Sequence, residues 1–383
     1  MTARFDSAWE PHSDPDADNL IEESDAMRRL CPVAHGGPGK WYVLGHRETT
    51  NVLLDHETFS NEVSSRLSVP NGMDPPAHTP FRRLIEPLFS REYLAPIEAP
   101  CRAIAEELIV GAVGAEKVEV MDEIAYPFAG RAQCAFLGWP DALASLLVEW
   151  TRRNQAAARA ADRAMLRMLA AQFEAVVADL LRRFRQNRAA RNRVMNTLLE
   201  ARVDGRPLND EELTSLFRNW TVGEIGTISA SVGIVLQAMA VHPGLQAMLR
   251  AQREKLPAAI DEILRAHGPL VSNRRRAKYD STIGGCPIQA GDELNIMWTA
   301  ANRDESVFDR PDEIMPERDG RLSLLYGAGI HVCPGAPLAR LELLTFMEEC
   351  LNRCRNIESY PAEQPAYARH PAGGYSRISL RFN

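Results

Sequence analysis

The chain contains no Cys-x-x-Cys pair. Its seven cysteines (Cys31, Cys101, Cys134, Cys286, Cys333, Cys350 and Cys354) are odd in number and scattered over 383 residues, so neither a zinc ribbon nor a disulfide framework is indicated. Positive charge is not in excess either. Lys and Arg number 44 against 51 Asp and Glu, for a net charge of −7, and no basic tail or stripe with interleaved aromatics interrupts that balance. This argues against a nucleic-acid partner. No apolar run approaches the roughly 20 residues of a membrane span. Residues 1–23 are acidic and polar and lack the apolar centre of a signal peptide. The expectation is a soluble, cytoplasmic protein that engages neither nucleic acid nor membrane.

The hydrophobic content, 45%, is ordinary and sufficient for a sizeable core. The length leaves two domains or one large one open. Apolar residues recur at three- and four-residue spacing over Glu98–Ala112, Ile124–Leu137, Ala142–Asn154, Arg159–Asn187 and Arg193–Arg202, which predicts a succession of helices. Asn209 to Glu212 reads as a capping box opening a long helix that runs to about Val241, where Pro243 stops it. Shorter helices are expected over Ala17–Leu30, Glu48–Asp55 and Ala258–Ala266. Strand signals are fewer. They are Lys40 to His46, a hairpin over Thr282–Ile296 with turns at Gly284-Gly285 and Ala290-Gly291, and an alternating tail from Gly373 to Phe382. The fold class expected is mainly α with a smaller β-rich part.

One stretch concentrates unusual residues: Tyr326-Gly327-Ala328-Gly329-Ile330-His331-Val332-Cys333-Pro334-Gly335. Glycines at this density permit close backbone approach and unusual φ/ψ angles. Cys333 stands just before a helix start marked by Pro334 and Pro337, where the helix dipole favours a thiolate. A glycine turn around a buried structural cysteine is one reading, and a thiolate held against a metal is the other. The pattern Gly-x-Gly-x-His-x-Cys-x-Gly behind an aromatic resembles the haem-binding loop of the cytochrome P-450 family, FGxGxHxCxG, with Tyr326 in place of Phe. The resemblance implies the cytochrome P-450 fold and haem b, with Cys333 as the thiolate ligand of its iron.

Other stretches resemble the family in the same order. Asp74-Pro75-Pro76-Ala77-His78 to Arg82 is similar to its DPPxHxxxR helix, which implies that His78 and Arg82 hold haem propionates. Glu262-Ile263-Leu264-Arg265 resembles its ExxR ion pair. The segment from Pro269 to Asp280 resembles the one carrying a propionate-binding arginine, assigned to Arg275 with Arg274 and Arg276 adjacent. Ala301-Asn302-Arg303-Asp304 through Pro311 resembles its ANRDxxxFxxP meander. His331 joins the propionate set by the same resemblance, and residues 36–383 become a single haem-thiolate domain behind a lead of residues 1–35.

The long helix departs from the pattern. Aligning Thr227 on the family's distal threonine gives Gly223-Glu224-Ile225-Gly226-Thr227, where the family has [AG]-G-x-[DE]-T. Gly226 stands where the acid is usual, and Glu224 stands at the second glycine. Glu224 lies three residues before Thr227 on the same side of the helix. It either supplies the missing carboxylate of the proton relay, contacts substrate, or faces a water-filled groove. Gly223 and Gly226 lower helix stability by up to about 1 kcal/mol each relative to Ala. Their reason is either the approach of a flat ligand or helix–helix packing.

The resemblance implies a monooxygenase that inserts one oxygen atom from dioxygen into a small apolar organic substrate, by hydroxylation or oxidative dealkylation. The chain has no room for a flavin or iron–sulfur module, so a separate ferredoxin or flavodoxin with its reductase is expected. Arg82, Arg83 and Arg340 are candidate docking charges for it. A peroxide-using or ring-coupling enzyme, and a non-catalytic haem sensor, are the alternatives. Specificity is expected to come from residues 62–73, 155–190, 270–274 and 371–375.

Overall fold

The structure is a computed structural model and describes residues 8–11 and 20–383. The helix expected from Ala17 is seen over Leu20–Leu30, and its first three residues, like much of the 1–35 lead, lie outside the described residues. The chain forms two compact units, each assembled from separated stretches: Met1–Ser65, Gly233–Cys333 and Ser359–Ser379 in one, Arg66–Val232, Pro334–Glu358 and Leu380–Asn383 in the other.

The second unit is helical. The Arg91–Ala112 helix packs on Ala336–Arg353 and on Tyr126–Leu137, which packs on Ala144–Arg159, which in turn packs on Arg163–Gln186. Its core is rich in aromatic rings. Phe89 stacks on Phe136 at 5.3 Å, and Trp139 meets Phe217 edge-on at 5.3 Å, arrangements that add to the simple burial of area. Arg102 ties the first of these helices to Glu348 and Glu349 at 2.8 Å each.

The Arg91–Ala112 helix begins seven residues before the expected Glu98 and carries Pro96 and Pro100 inside it. Interior prolines normally break a helix, which is why the sequence pattern points to a later start. Ser90 caps the helix, its side chain accepting from the Tyr93 N–H.

The capping box at the long helix is present in full. Asn209 Oδ1 accepts from the Glu212 N–H at 2.8 Å, and Glu212 Oε2 accepts from the Asn209 N–H at 2.9 Å. The helix runs Asp210–Val241 and is long and apolar enough to cross a membrane by length and composition. Its Leu213, Leu216, Phe217 and Ile225 are instead built into the main core of this unit.

The first unit centres on a five-stranded sheet in the order Val33–His35, Lys40–Val43, Glu293–Met297, Ser272–Ala277, Phe59–Ser60. Glu293–Met297 runs parallel to Lys40–Val43 and antiparallel to Ser272–Ala277. The expected single hairpin over 282–296 is therefore divided. Ser281–Ile283 pairs with Cys286–Ile288 across the Gly284-Gly285 turn, and the following strand leaves for the sheet. Apolar Leu294, Ile296 and Met297 drive that choice, because all three are fully buried.

A polar lattice supports the unit. Arg265, 1% exposed, donates to Glu262 through Nε at 2.7 Å and Nη2 at 3.0 Å, and to the carbonyls of Asn302 at 2.7 Å and Pro311 at 2.9 Å. Glu262 also accepts from Arg318 Nε at 2.8 Å. Buried Arg303 donates to Asp25 at 3.0 Å, and Asn302 Oδ1 accepts from the Leu324 N–H at 2.7 Å. His46, whose simplest reading from sequence is a solvated residue, packs on Phe308 and lies 2.8 Å from the Leu322 carbonyl.

Candidate functional site

In the first unit, Cys333 ends the glycine loop. Gly327 and Gly329 both take positive φ, +75° and +70°, so the loop turns where side chains would strain it. A Cβ on Gly329 would lie 2.4 Å from the Leu53 carbonyl oxygen, so only glycine fits there. The turn ends with the Cys333 N–H donating to the Tyr326 carbonyl at 2.8 Å. The Cys333 side chain is exposed, unlike those of Cys101, Cys134, Cys286, Cys350 and Cys354, which are buried. The reading of Cys333 as a buried structural thiol therefore fails. His331 is half-buried in the short turn Gly329–His331 just before it.

Arg275 lies in the same unit. Of three consecutive arginines on the Ser272–Ala277 strand, Arg275 turns inward opposite Leu294 and is 7% exposed, while Arg274 and Arg276 face outward. Period-two alternation makes the distinction that the sequence pattern leaves open. Arg275 Nη1 donates to the Arg274 carbonyl at 2.9 Å.

His78 and Arg82 belong to the second unit. The helix that carries them is His78–Ile85, starting after the Pro75-Pro76 pair rather than within it. Residues that precede proline are disfavoured in the helical region, so Asp74 and Pro75 stay outside. His78 and Arg82, four residues apart, share the buried face of this helix. Arg82 Nε donates to Glu86 at 2.7 Å. Arg82 is thereby removed from the candidate docking charges, and Arg83 and Arg340 remain as exposed ones.

Glu224 and Thr227 sit on the Asp210–Val241 helix. Thr227 Oγ1 donates back to the Gly223 carbonyl at 2.7 Å, a bond that loosens the local helix. Among the described residues, nothing beyond the helix's own nearby backbone lies within 4 Å of where a Cβ on Gly223 would stand, so helix packing is not the reason for that glycine. Gly226 differs. A Cβ there would lie 2.7 Å from Gln155 Nε2, a side chain of the Ala144–Arg159 helix.

The Glu224 carboxyl does not reach for Thr227. It meets the carboxyl of Glu342, on the Ala336–Arg353 helix, within hydrogen-bond reach. Glu342 is fully buried, and Oε1 of Glu224 has no accessible surface although the stem of the side chain is partly exposed. Burial, and then the neighbouring Glu224 charge, push Glu342 well above the usual carboxylate range. Burial likewise raises Glu224.

Glu342 and Gln155 are the residues that the sequence pattern does not single out. The available signal for Glu342 was an acid in an apolar stretch, between Leu341 and Leu343 on the helix after the cysteine loop.

Taken one by one, these groups fit a flat iron-bearing cofactor that supplies its own in-plane donors. Cys333 offers a single accessible thiol. Arg82 and Arg275 offer buried guanidiniums suited to acidic side arms. Gly223 opens one helix face. Among the described residues no cluster of three or more His, Cys, Asp or Glu could hold a metal ion unaided.

Comparison with known proteins bears on all of this. A sequence model of the family described as Cytochrome P450 matches residues 139–371. The Probable cytochrome P450 127A1 of Sinorhizobium fredii is 32% identical, over 83% of this chain and 77% of that protein. The Erythromycin C-12 hydroxylase of Saccharopolyspora erythraea is 28% identical, over 87% of each. The solved structure of Cytochrome P450 CYP109Q5 from Chondromyces apiculatus superposes with a TM-score of 0.85 at 27% identity, covering 95% of each chain.

Proposed function

This chain belongs to the cytochrome P-450 family and is a haem-b monooxygenase, and on that premise we propose that it hydroxylates or oxidatively dealkylates a small apolar organic molecule with electrons from a separate donor. The observation that carries the reading is the exposed Cys333 thiol at the end of a loop that only glycines can turn. The family match takes residues from both compact units, which supports residues 36–383 acting as one functional domain.

The roles follow residue by residue. Cys333 is the iron ligand. His78, Arg82, Arg275 and His331 neutralise the propionates, a charge-assisted recognition for which guanidinium groups are well shaped. Bound haem supplies the activation of dioxygen, which consumes two electrons and two protons. The Thr227 hydroxyl delivers a proton, and Glu224 belongs to the path that replenishes it. A ferredoxin or flavodoxin with its reductase provides the electrons. The protein works in the cytoplasm.

Two spectra test this in order. The reduced protein with carbon monoxide should give the difference band that names the family, and Cys333→Ala should lose it. A spectral binding screen of apolar compounds should then find ligands that are turned over with a donor system. A Cys333→Ala variant that keeps the band overturns the ligand assignment.

One observation favours a second reading, in which peroxide is the oxidant. The position beside Thr227 is Gly226, and Glu224, three residues earlier in the chain, is engaged with Glu342. Product formed from peroxide alone, at the rate of the donor system, would establish it.

A further inference from the structure

Two of the cysteines, far apart in sequence, meet in the sheet-containing unit. Cys31 follows the last turn of the Leu20–Leu30 helix, its N–H donating to the Met27 carbonyl at 2.9 Å. Cys286 opens the second strand of the hairpin made by Ser281–Ile283 and Cys286–Ile288. Both thiols donate to one acceptor, the Val33 carbonyl, Cys31 at 3.0 Å and Cys286 at 3.7 Å. The two thiols also lie within hydrogen-bond reach of each other.

The segments that carry them are fixed without the sulfurs. Val33 is fully buried and pairs with Val43 in the five-stranded sheet. Ile283, Cys286 and Ile288 pack with it in one apolar cluster. Gly284, at the hairpin turn with φ of +57°, sits so close that a Cβ there would stand 3.1 Å from Val33 Cγ2. The helix is held in its turn by Arg28, which donates to the Ala300 carbonyl at 2.8 Å. The thiols therefore meet because of the packing around them. Their S–H groups are weak donors, so giving up both bonds to Val33 costs little.

The two differ in access. Cys31 is partly exposed, whereas Cys286 is buried. Burial first, and then the neighbouring Cys31, push the Cys286 thiol up to about 11, so it stays protonated at neutral pH. A solute in water reaches Cys31 and finds Cys286 behind it. Cys350 and Cys354 lack this asymmetry, since both are buried.

We infer that Cys31 and Cys286 form a reversible dithiol–disulfide couple, a modification site apart from the iron ligand Cys333, whose reactant is a low-molecular-weight disulfide. Cys31 attacks one sulfur of that disulfide as the thiolate and expels the first small thiol, which takes the proton Cys31 gave up. A mixed disulfide remains on Cys31. Cys286 then attacks the Cys31 sulfur, and its proton leaves with the second small thiol. The protein loses two electrons and two protons, and the small disulfide becomes two thiols. The new bond joins the end of the Leu20–Leu30 helix to the hairpin across about 250 residues, and cross-links that close long loops restrict the unfolded chain most. In a reducing compartment such a bond is transient and responds to the redox state.

The haem-loaded protein, equilibrated in mixtures of oxidised and reduced glutathione, tests this. Free thiols are blocked, and the protein is mapped by mass spectrometry. Wild type should yield a peptide pair linked through Cys31 and Cys286, released by dithiothreitol. The linked form should unfold at higher urea than the reduced form. Cys286→Ser should hold glutathione on Cys31 as a lasting adduct, because no second thiol remains to displace it. Cys31→Ser should leave Cys286 unmodified. The carbon monoxide band should persist throughout, since Cys333 takes no part.

A wild type that keeps both thiols free in the most oxidising mixture overturns the couple, as does a Cys286→Ser protein with no adduct. Glutathione on Cys286 in Cys31→Ser overturns Cys31 as the point of entry. An unmoved urea midpoint overturns the pair as one that the fold presents ready to close, and loss of the carbon monoxide band on oxidation moves the reaction to Cys333. If Cys286→Ser fails to load haem, wild type and Cys31→Ser decide the matter.

Discussion

Gly226 occupies the place beside Thr227 where the family carries a carboxylate, and its space is shared with the end of Gln155. Restoring the acid with Gly226→Asp would bring a Cβ to 2.7 Å from Gln155 Nε2, closer than such contacts are made. Because the obstruction is the tip of a flexible side chain, Gln155 can swing aside. The cost should therefore be modest and should disappear when Gln155 is shortened. In a double-mutant cycle by urea unfolding, Gly226→Asp and Gln155→Ala should be non-additive by about 0.5–1 kcal/mol, the low end of the range for residues in contact. Strict additivity would count against the contact. Glycine here was legible as an exception to the family pattern. Its neighbour was not, because Gln155 arrives from a helix more than 60 residues earlier, and no local spacing links the two.

At the scale of elements, the Glu262–Arg265 pair illustrates how much packing decides. An exposed pair at that spacing contributes only a few tenths of a kcal/mol. Here Arg265 is 1% exposed and serves four acceptor atoms drawn from three segments. Removing one partner strands the other out of water, so Arg265→Met should lower stability by about 3–5 kcal/mol. Arg265→Lys should recover little of it, since an ammonium cannot reproduce the planar fork. The urea midpoints of both variants check this, and a loss below about 1 kcal/mol for Arg265→Met would show the pair to be peripheral.

Most helices were legible from their apolar spacing, and the Asn209–Glu212 box marked one start to within a residue. Three features were not. The Arg91–Ala112 helix tolerates prolines that ordinarily stop one. The Glu293–Met297 strand abandons its nearest neighbour in sequence for partners far away. Glu342 was not singled out, because a single helix pattern does not say how many faces are covered.

Over the whole molecule the charge is negative, −7, yet Arg83 and Arg340 stand exposed on the helical unit. If an acidic electron donor docks through them, its electron transfer should slow as salt rises from about 10 mM to about 0.15 M, over which the screening length falls from about 30 Å to about 8 Å. Arg83→Ala and Arg340→Ala should each flatten that dependence. Rates indifferent to salt would remove both residues from the docking surface.

The parallel pairing of Lys40–Val43 with Glu293–Met297 has a further consequence, for how the protein is made. The two strands are separated by about 250 residues. On the ribosome, at about 5–20 residues per second, the earlier strand waits roughly 10–50 seconds for its neighbour. For that interval the Trp41–Val43 edge, buried in the finished sheet, is open to any passing chain. Expression at lower temperature or with added chaperone therefore bears on yield through this one edge.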